Sequence, residues 1–224
     1  MEMAMTDMNL EQARYNMIEQ QIRPWDVLNQ DVLDLLAQIP REDFVPAKYR
    51  NIAFTDVAIP LEHNQSMLPP KIEARLLQAV EIQSEDDVLQ VGTGSGYVTA
   101  LLASMGGHVT SVDIHADLQE QAQQKLTEHN IHNVTMECGD AAQGWNPNRT
   151  YDVIVITGGL PILPESFQRA LNKGGRLFAF VGDAPAMEAL LITRVGDNEW
   201  SHEVLFETEV PELENAPQPE RFSL

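Results

Sequence analysis

Near the N-terminus apolar residues recur at helical spacing: Met17 and Ile18, then Val27, Leu28, Val32, Leu35 and Leu36, with Pro24 between the two groups. Apolar side chains three and four positions apart share one face of a helix, and proline interrupts it, so two helices are expected here. The following stretch, REDFVPAKYRNIAFTDVAIPLEHNQSMLPP, has no period and carries prolines at 46, 60, 69 and 70. It is too long for an ordinary connector, and Phe44, Val45, Ile52, Phe54 and Ile59 supply enough apolar surface to hold it in an ordered, functional loop.

From Lys71 the pattern becomes an alternation. KIEARLLQAVEI predicts a helix, DVLQV a strand, the glycine corner through LLASM a helix, HVTSVD a strand, and ADLQEQAQQKLTEHN a helix. NVTMEC and YDVIVIT follow as strands, PESFQRALN as a helix and GRLFAFVG as a strand. Alternating strands and helices build right-handed crossovers and a mainly parallel sheet. ALLITRVGDNEWSHEVLFETEV reads instead as two strands around Gly196-Asp197-Asn198, a hairpin that closes one sheet edge antiparallel. The expected organisation is an N-terminal part of helices and loop over residues 1–70, a main domain over 71–213 and a loosely held polar tail over 214–224.

Composition narrows the functional classes. Hydrophobic residues at 43% and charged residues at 21% suit a folded domain in water. No apolar run is long enough for a membrane span and MEMAMTDMNLEQ does not resemble a signal peptide, which points to the cytoplasm and to no membrane partner. The formal charge of −20, with 14 basic against 34 acidic residues, disfavours nucleic acid, which is held largely by Lys and Arg on phosphate. Cys138 alternates with apolar residues and is expected to be a buried strand thiol, and no CxxC or HExxH pattern suggests a metal site.

The candidate chemistry lies in VLQVGTGSGYVTALLA, residues 88–103. Gly92, Gly94 and Gly96 sit between a strand and a helix, where glycine permits positive φ and lets a ligand approach the backbone. Asp113 ends the next strand, the position from which a carboxylate accepts hydrogen bonds from ribose hydroxyls. The dinucleotide fingerprint GxGxxG needs a third glycine where Tyr97 stands, so NAD and FAD are disfavoured, and the GK[ST] of a phosphate-binding P-loop is absent. GxGxG followed by an acid resembles the S-adenosylmethionine site of class I methyltransferases, and Asp140 in CGDA follows the third strand, where such enzymes place an acid or amide against the adenine amino group. Either aspartate also suits a helix N-cap.

The resemblance extends to one family. VLQVGTGSGY is similar to the VLEIGTGSGY of protein-L-isoaspartate O-methyltransferases, and IPREDFVP to their VPREKFVP-type segment. The likeness continues through IAFTDVAIPL, NVTMECGDA, YDVIVIT and the GGRL strand entry, covering residues from about Arg14 to Gly182. It implies a Rossmann-like α/β fold with a seven-stranded, mainly parallel sheet, a terminal antiparallel hairpin and helices on both faces. It also implies a monomeric protein-repair enzyme that methylates the carboxylate of isoaspartyl residues in damaged proteins, with S-adenosyl-L-methionine as cofactor. The matching positions for cofactor binding are Gln65, Ser66, Gly92, Thr93, Gly94, Gly96, Asp113, Asp140 and Ala141.

The acceptor side departs from the family. The loop typically GQTISQP reads Asn64-Gln65-Ser66-Met67-Leu68-Pro69-Pro70, placing Leu68 where the family has its active-site serine and leaving Ser66 as the candidate catalytic hydroxyl. Thr157-Gly158-Gly159 replaces Thr-Ala-Ala, and Thr208-Glu209-Val210-Pro211-Glu212-Leu213 replaces an Arg-Phe-Val-Pro-Leu-type segment. An ionised carboxylate acceptor needs no general base, whereas an amine or hydroxyl acceptor does, for which His63 and Glu62 are the loop candidates. The fourth strand ends ITGGLP without the Asn/Asp-Pro-Pro-aromatic motif of nucleobase N-methyltransferases. Three readings remain open: isoaspartyl methylation, methylation of another carboxylate, and a non-enzymatic protein that retains the cofactor pocket.

Overall fold

The computed structural model describes residues 2–220, with side chains from residue 9 onward. It divides into two compact units, residues 1–81 and 82–224. Among the described residues no helix is long and apolar enough to cross a membrane.

The first unit opens with α1 (Glu2–Met17), which passes into a π-helical turn over Ile18–Ile22 and a 3-10 turn over Arg23–Trp25. Proline in that 3-10 turn cannot extend the helix, and Asp26 reverses the chain at φ 59°. Helix α2 (Gln30–Gln38) starts where the Asn29 side chain accepts from the backbone N–H of Asp31 at 2.9 Å and Val32 at 3.3 Å, the ordinary service of an asparagine N-cap. It buries Val32, Leu33, Leu35 and Leu36. Leu28, expected on the apolar face, is 69% exposed because it precedes the cap and so lies outside the helical period.

The irregular stretch is ordered by short elements: α3 (Arg41–Phe44), a 3-10 turn over Ala47–Ile52, β1 (Ile59–Pro60) and β2 (Ser66–Met67). Phe44, Val45 and Ile59 are buried. The two strands pair antiparallel, Ile59 with Met67 and Pro60 with Ser66. Helix α4 (Pro70–Val80), begun by proline at its first position, completes the unit. The boundary therefore lies after α4, not before it as the break at residue 70 suggested. The reason is Glu73 on α4, which at 1% exposure is bound within this unit by the equally buried Arg41.

In the second unit the strands are β3 (Asp87–Val91), β4 (His108–Asp113), β5 (Val134–Cys138), β6 (Tyr151–Leu160), β7 (Leu171–Val181), β8 (Met187–Gly196) and β9 (Glu199–Thr208). The helices α5 (Tyr97–Met105), α6 (Ala116–Glu128) and α7 (Glu165–Arg169) lie between them in sequence. The sheet runs β5-β4-β3-β6-β7-β8-β9, parallel through β7 and antiparallel over the last two strands. The expected α/β sheet and terminal hairpin are therefore present. Chain direction across the sheet reverses between β3 and β6, the switch point outside whose carboxyl ends open α/β sheets bind ligands.

Three local expectations are corrected. Cys138 is exposed, because β5 is the edge strand and its last residue has sheet on one flank only. The expected long helix PESFQRALN is the single turn α7, after which β7 begins at Leu171, before the glycines rather than at them. There the register with β6 shifts between Tyr151 and Val153, and Gly174 supplies φ +83°, so LNKGG forms an irregular strand entry. The polar tail is not loose over its first residues: Ala216 is buried in the sheet's hydrophobic core and Leu213 packs against it. Residues 221–224 of the expected tail lie outside the described residues.

Candidate active site

The glycine corner follows β3. Gly92, Gly94 and Gly96 have φ of +90°, +52° and +84°, conformations that L side chains rarely adopt. Between them Thr93 and Ser95 turn inward, at 4% and 9% exposure. The Thr93 hydroxyl lies 2.7 Å from that of Ser111 on β4, which ties the corner to the neighbouring strand. Ser111 in turn donates to Oε1 of the fully buried Gln90, whose Nε2 donates to the carbonyl of Gly92 at 3.0 Å. The Thr157 hydroxyl donates to the same carbonyl at 2.7 Å. This network satisfies buried polar groups and holds the corner rigid.

The first glycine is also a close-approach position: a Cβ at Gly92 would stand 2.4 Å from Oγ1 of Thr157. Gly92→Ala is therefore expected to cost about 1–3 kcal/mol from backbone strain alone, with a further loss from displacing Thr157. Thermal unfolding checks this, and an unchanged melting temperature would show that the corner tolerates a normal residue. At Gly96 a Cβ would meet that of Ala122 on α6 at 2.8 Å, which sets how closely the two segments approach.

Asp113 closes β4 beside the corner. Its Oδ2 accepts from the N–H of Gly94 at 2.9 Å and its Oδ1 from that of His115 at 2.9 Å, which fixes the carboxylate at 8% exposure. The Asp113 carbonyl accepts from the N–H of Gly139 at 2.9 Å, bringing the loop after β5 alongside. There Oδ1 of Asp140 accepts from the N–H of Ala142 at 3.0 Å, and Ala141 is buried. Gly92, Thr93, Gly94, Gly96, Asp113, Asp140 and Ala141 are thus gathered at the carboxyl ends of β3, β4 and β5.

These groups suit S-adenosyl-L-methionine. The corner presents backbone unscreened by Cβ atoms at its glycines, and the two carboxylates are acceptors only, matching the hydroxyls of a ribose and the amino group of an adenine. Each carboxylate oxygen already engaged by one N–H retains a second acceptor position.

Gln65 and Ser66 belong to the first unit, in the β1–β2 hairpin. Its tip is a tight turn in which the N–H of Gln65 donates to the carbonyl of Glu62 at 3.0 Å, and that of Leu61 to the carbonyl of Gln65 at 2.8 Å. His63 and Asn64 between them both take φ 56°, the primed-turn geometry that matches strand twist. The turn was illegible because its usual Asn-Gly signature is replaced by His-Asn. Ser66 is partly exposed on β2, whereas Leu68 is buried at 5%.

A model of the family described as Protein-L-isoaspartate(D-aspartate) O-methyltransferase (PCMT) matches residues 12–210. The chain belongs to this family. It is 38% identical over 190 residues to a protein-L-isoaspartate O-methyltransferase of Rhodopseudomonas palustris strain ATCC BAA-98 / CGA009, covering 84% of this chain and 87% of the relative. A second relative, protein-L-isoaspartate O-methyltransferase 1 of strain HaA2, is 37% identical over 182 residues, covering 81% and 74%. Among solved structures, a protein-L-isoaspartate O-methyltransferase aligns with TM-score 0.72 at 23% identity, over 91% of this chain and 65% of that one, just under two thirds of its length. A Plasmodium falciparum protein described as a member of the same group, solved with S-adenosyl-L-homocysteine, aligns with TM-score 0.75 at 17% identity, over 91% and 97%. These two structures support the fold.

The family's PREDFVP-type segment acquires a physical role in this member. Arg41, 1% exposed, donates from Nε to Oε2 of Glu73 at 3.0 Å and from Nη2 to Oε1 at 3.3 Å. It also donates to the carbonyls of Ala53 at 2.6 Å and Leu68 at 2.7 Å. Burial pushes the Glu73 carboxyl upward from the ordinary carboxylate range, against the Arg41 guanidinium, which draws it down. The backbone at the position of the family serine is therefore held by a guanidinium, while its side chain is turned into apolar surroundings. Arg41, Glu73 and Gln90 were not singled out from the sequence, and Thr157 was named only as part of the altered Thr157-Gly158-Gly159 segment. The placement of Arg41 in the PREDFVP-type segment was the available signal for the first.

Proposed function

We propose that this protein methylates the α-carboxylate left free at isoaspartyl residues of damaged proteins, using S-adenosyl-L-methionine. The family match across residues 12–210 carries this reading, because it spans both the cofactor corner and the acceptor loop. When bound, S-adenosyl-L-methionine supplies an electrophilic methyl group on a sulfonium. The chain's own contribution is positional. The Gly92–Gly96 backbone receives the nucleoside, Asp113 accepts from ribose hydroxyls and Asp140 accepts from the adenine amino group. A carboxylate is already ionised at neutral pH, so no side chain has to remove a proton and the rate gain comes from orientation. Incubation with methyl-labelled S-adenosyl-L-methionine and matched isoaspartyl and aspartyl peptides tests the reading. Base-labile ester on the isoaspartyl peptide alone is expected, and its absence with intact cofactor binding would overturn it.

A second reading, methylation of a different carboxylate, is favoured by the buried leucine at the family serine position. Leu68→Ser separates the two. If isoaspartyl carboxylates are the acceptors and the shorter serine side chain turns out of the position that buries Leu68, the added hydroxyl raises kcat/KM on the isoaspartyl peptide by about tenfold, the worth of one charge-assisted hydrogen bond. The same change removes a buried apolar side chain and costs about 2–5 kcal/mol of stability, to be followed in parallel by denaturation. A stable, cofactor-binding variant with no gain on this peptide would favour the second reading.

A further inference from the structure

The chain after β9 returns across the carboxyl ends of the strands. The Gly159 N–H donates to the carbonyl of Pro211 at 2.8 Å and the Leu213 N–H to the carbonyl of Gly159 at 2.9 Å, a short parallel pairing of residues 210–213 with the end of β6. The glycines give room where they meet, since an added Cβ would displace the ends of two flexible side chains. A Cβ at Gly158 would stand 2.5 Å from Cδ2 of Leu213, and one at Gly159 2.3 Å from Cε of Met187. The two glycines that replace the family's alanines thus lie directly against the altered C-terminal segment, a strap seated on the end of β6. Leu213 and Ala216 then anchor it in the core.

Beyond Leu213 the strap reaches two of the loops that frame the nucleoside site. Oε1 of Glu214 lies 2.8 Å from Nε2 of His115, which follows Asp113. Nδ2 of Asn215 donates to Oδ2 of Asp140 at 2.9 Å. Asp140 is exposed and stands on the loop of the edge strand, so its own surroundings constrain it least of the site's carboxylates. The N–H of Ala142 fixes one of its oxygens, and the Asn215 amide fixes the other. Asn215 also holds φ +61°, a conformation that asparagine tolerates better than most residues.

We propose that Asn215 is a positioning residue for cofactor recognition: it acts through Asp140, locking that carboxylate in the rotamer that reads the exocyclic amino group of the adenine. This rests on the role assigned above to Asp140. The strap is held by backbone pairing and by Leu213 and Ala216, so its course does not depend on the amide. A preorganised acceptor binds its donor more tightly than one that must be ordered at the moment of binding.

The test compares binding of S-adenosyl-L-homocysteine with that of its 6-deamino purine analogue, which lacks only the amino group, by calorimetry on the full chain. Asn215→Gly removes the amide while accepting the positive φ without strain. It is expected to weaken S-adenosyl-L-homocysteine about fivefold to tenfold and to leave the deamino analogue within about twofold. Asn215→Asp, which sets one carboxylate against another, is expected to weaken the adenine compound further. Equal weakening of both compounds would show a merely structural strap and overturn the proposal, as would no weakening of either. A wild-type protein that does not distinguish the two compounds would remove the role of Asp140 and this inference with it. Failure to bind either compound would overturn the proposed function itself and, with it, this inference.

Discussion

Arg41→Ala is expected to destabilise the protein by about 3–5 kcal/mol, the loss typical of removing one partner from a buried ion pair. The structural reason is that Arg41 serves three places at once: the Glu73 carboxylate, the Ala53 carbonyl and the Leu68 carbonyl. Without it Glu73, 1% exposed, is left as a buried group with no guanidinium to face, and two carbonyls lose a donor. Arg41→Lys keeps the charge but not the planar fork, so it should recover only part of the loss. Replacing Arg41 and Glu73 together by apolar residues of similar volume should recover more than either single change, because the pair's own desolvation is then relieved. Urea denaturation measures all four proteins. A loss below about 1 kcal/mol for Arg41→Ala would mean that water reaches the pair and that the segment around Leu68 is held by something else.

Asp113→Ala should leave the sheet intact and weaken binding of S-adenosyl-L-homocysteine by about 1.5–3 kcal/mol, roughly tenfold to more than a hundredfold. The carboxylate orders the corner and the following turn through the N–H groups of Gly94 and His115, and in the proposed function its remaining acceptor positions take the ribose hydroxyls. Asp113→Asn separates these duties, since the amide keeps one acceptor and the shape but loses the charge. Its affinity should fall between those of the wild type and the alanine variant. Calorimetry with S-adenosyl-L-homocysteine reads both, and an alanine variant that binds like the wild type would remove Asp113 from the cofactor site.

What could be read from the sequence was whatever depends on local periodicity or on backbone demands. DVLQV, HVTSVD and NVTMEC were legible as strands because apolar, β-favouring side chains run between clear breakers. They are β3, β4 and the body of β5. The glycine corner was legible because glycine takes the three positive φ values found there far more readily than other residues, and the hairpin because Gly196-Asp197-Asn198 interrupts an otherwise continuous apolar pattern. Leu28 and Cys138 were misplaced for the opposite reason. Their local pattern suggested burial, but a helix cap in one case and the sheet edge in the other decided exposure.

By itself, then, the sequence determined the order of the elements, the βα alternation, the position of the glycine corner and the family to which its motifs belong. Each of these is encoded within a short window, where side-chain period and glycine conformation act on neighbouring residues. Tertiary structure alone decided that Arg41 meets Glu73 across 32 residues and that Asn215 meets Asp140 across 75. It also decided that Leu213 settles on the glycines closing β6 and that Leu68 turns inward. Such contacts depend on loop closure and on which faces become buried when the sheet assembles, and no periodicity along the chain records them.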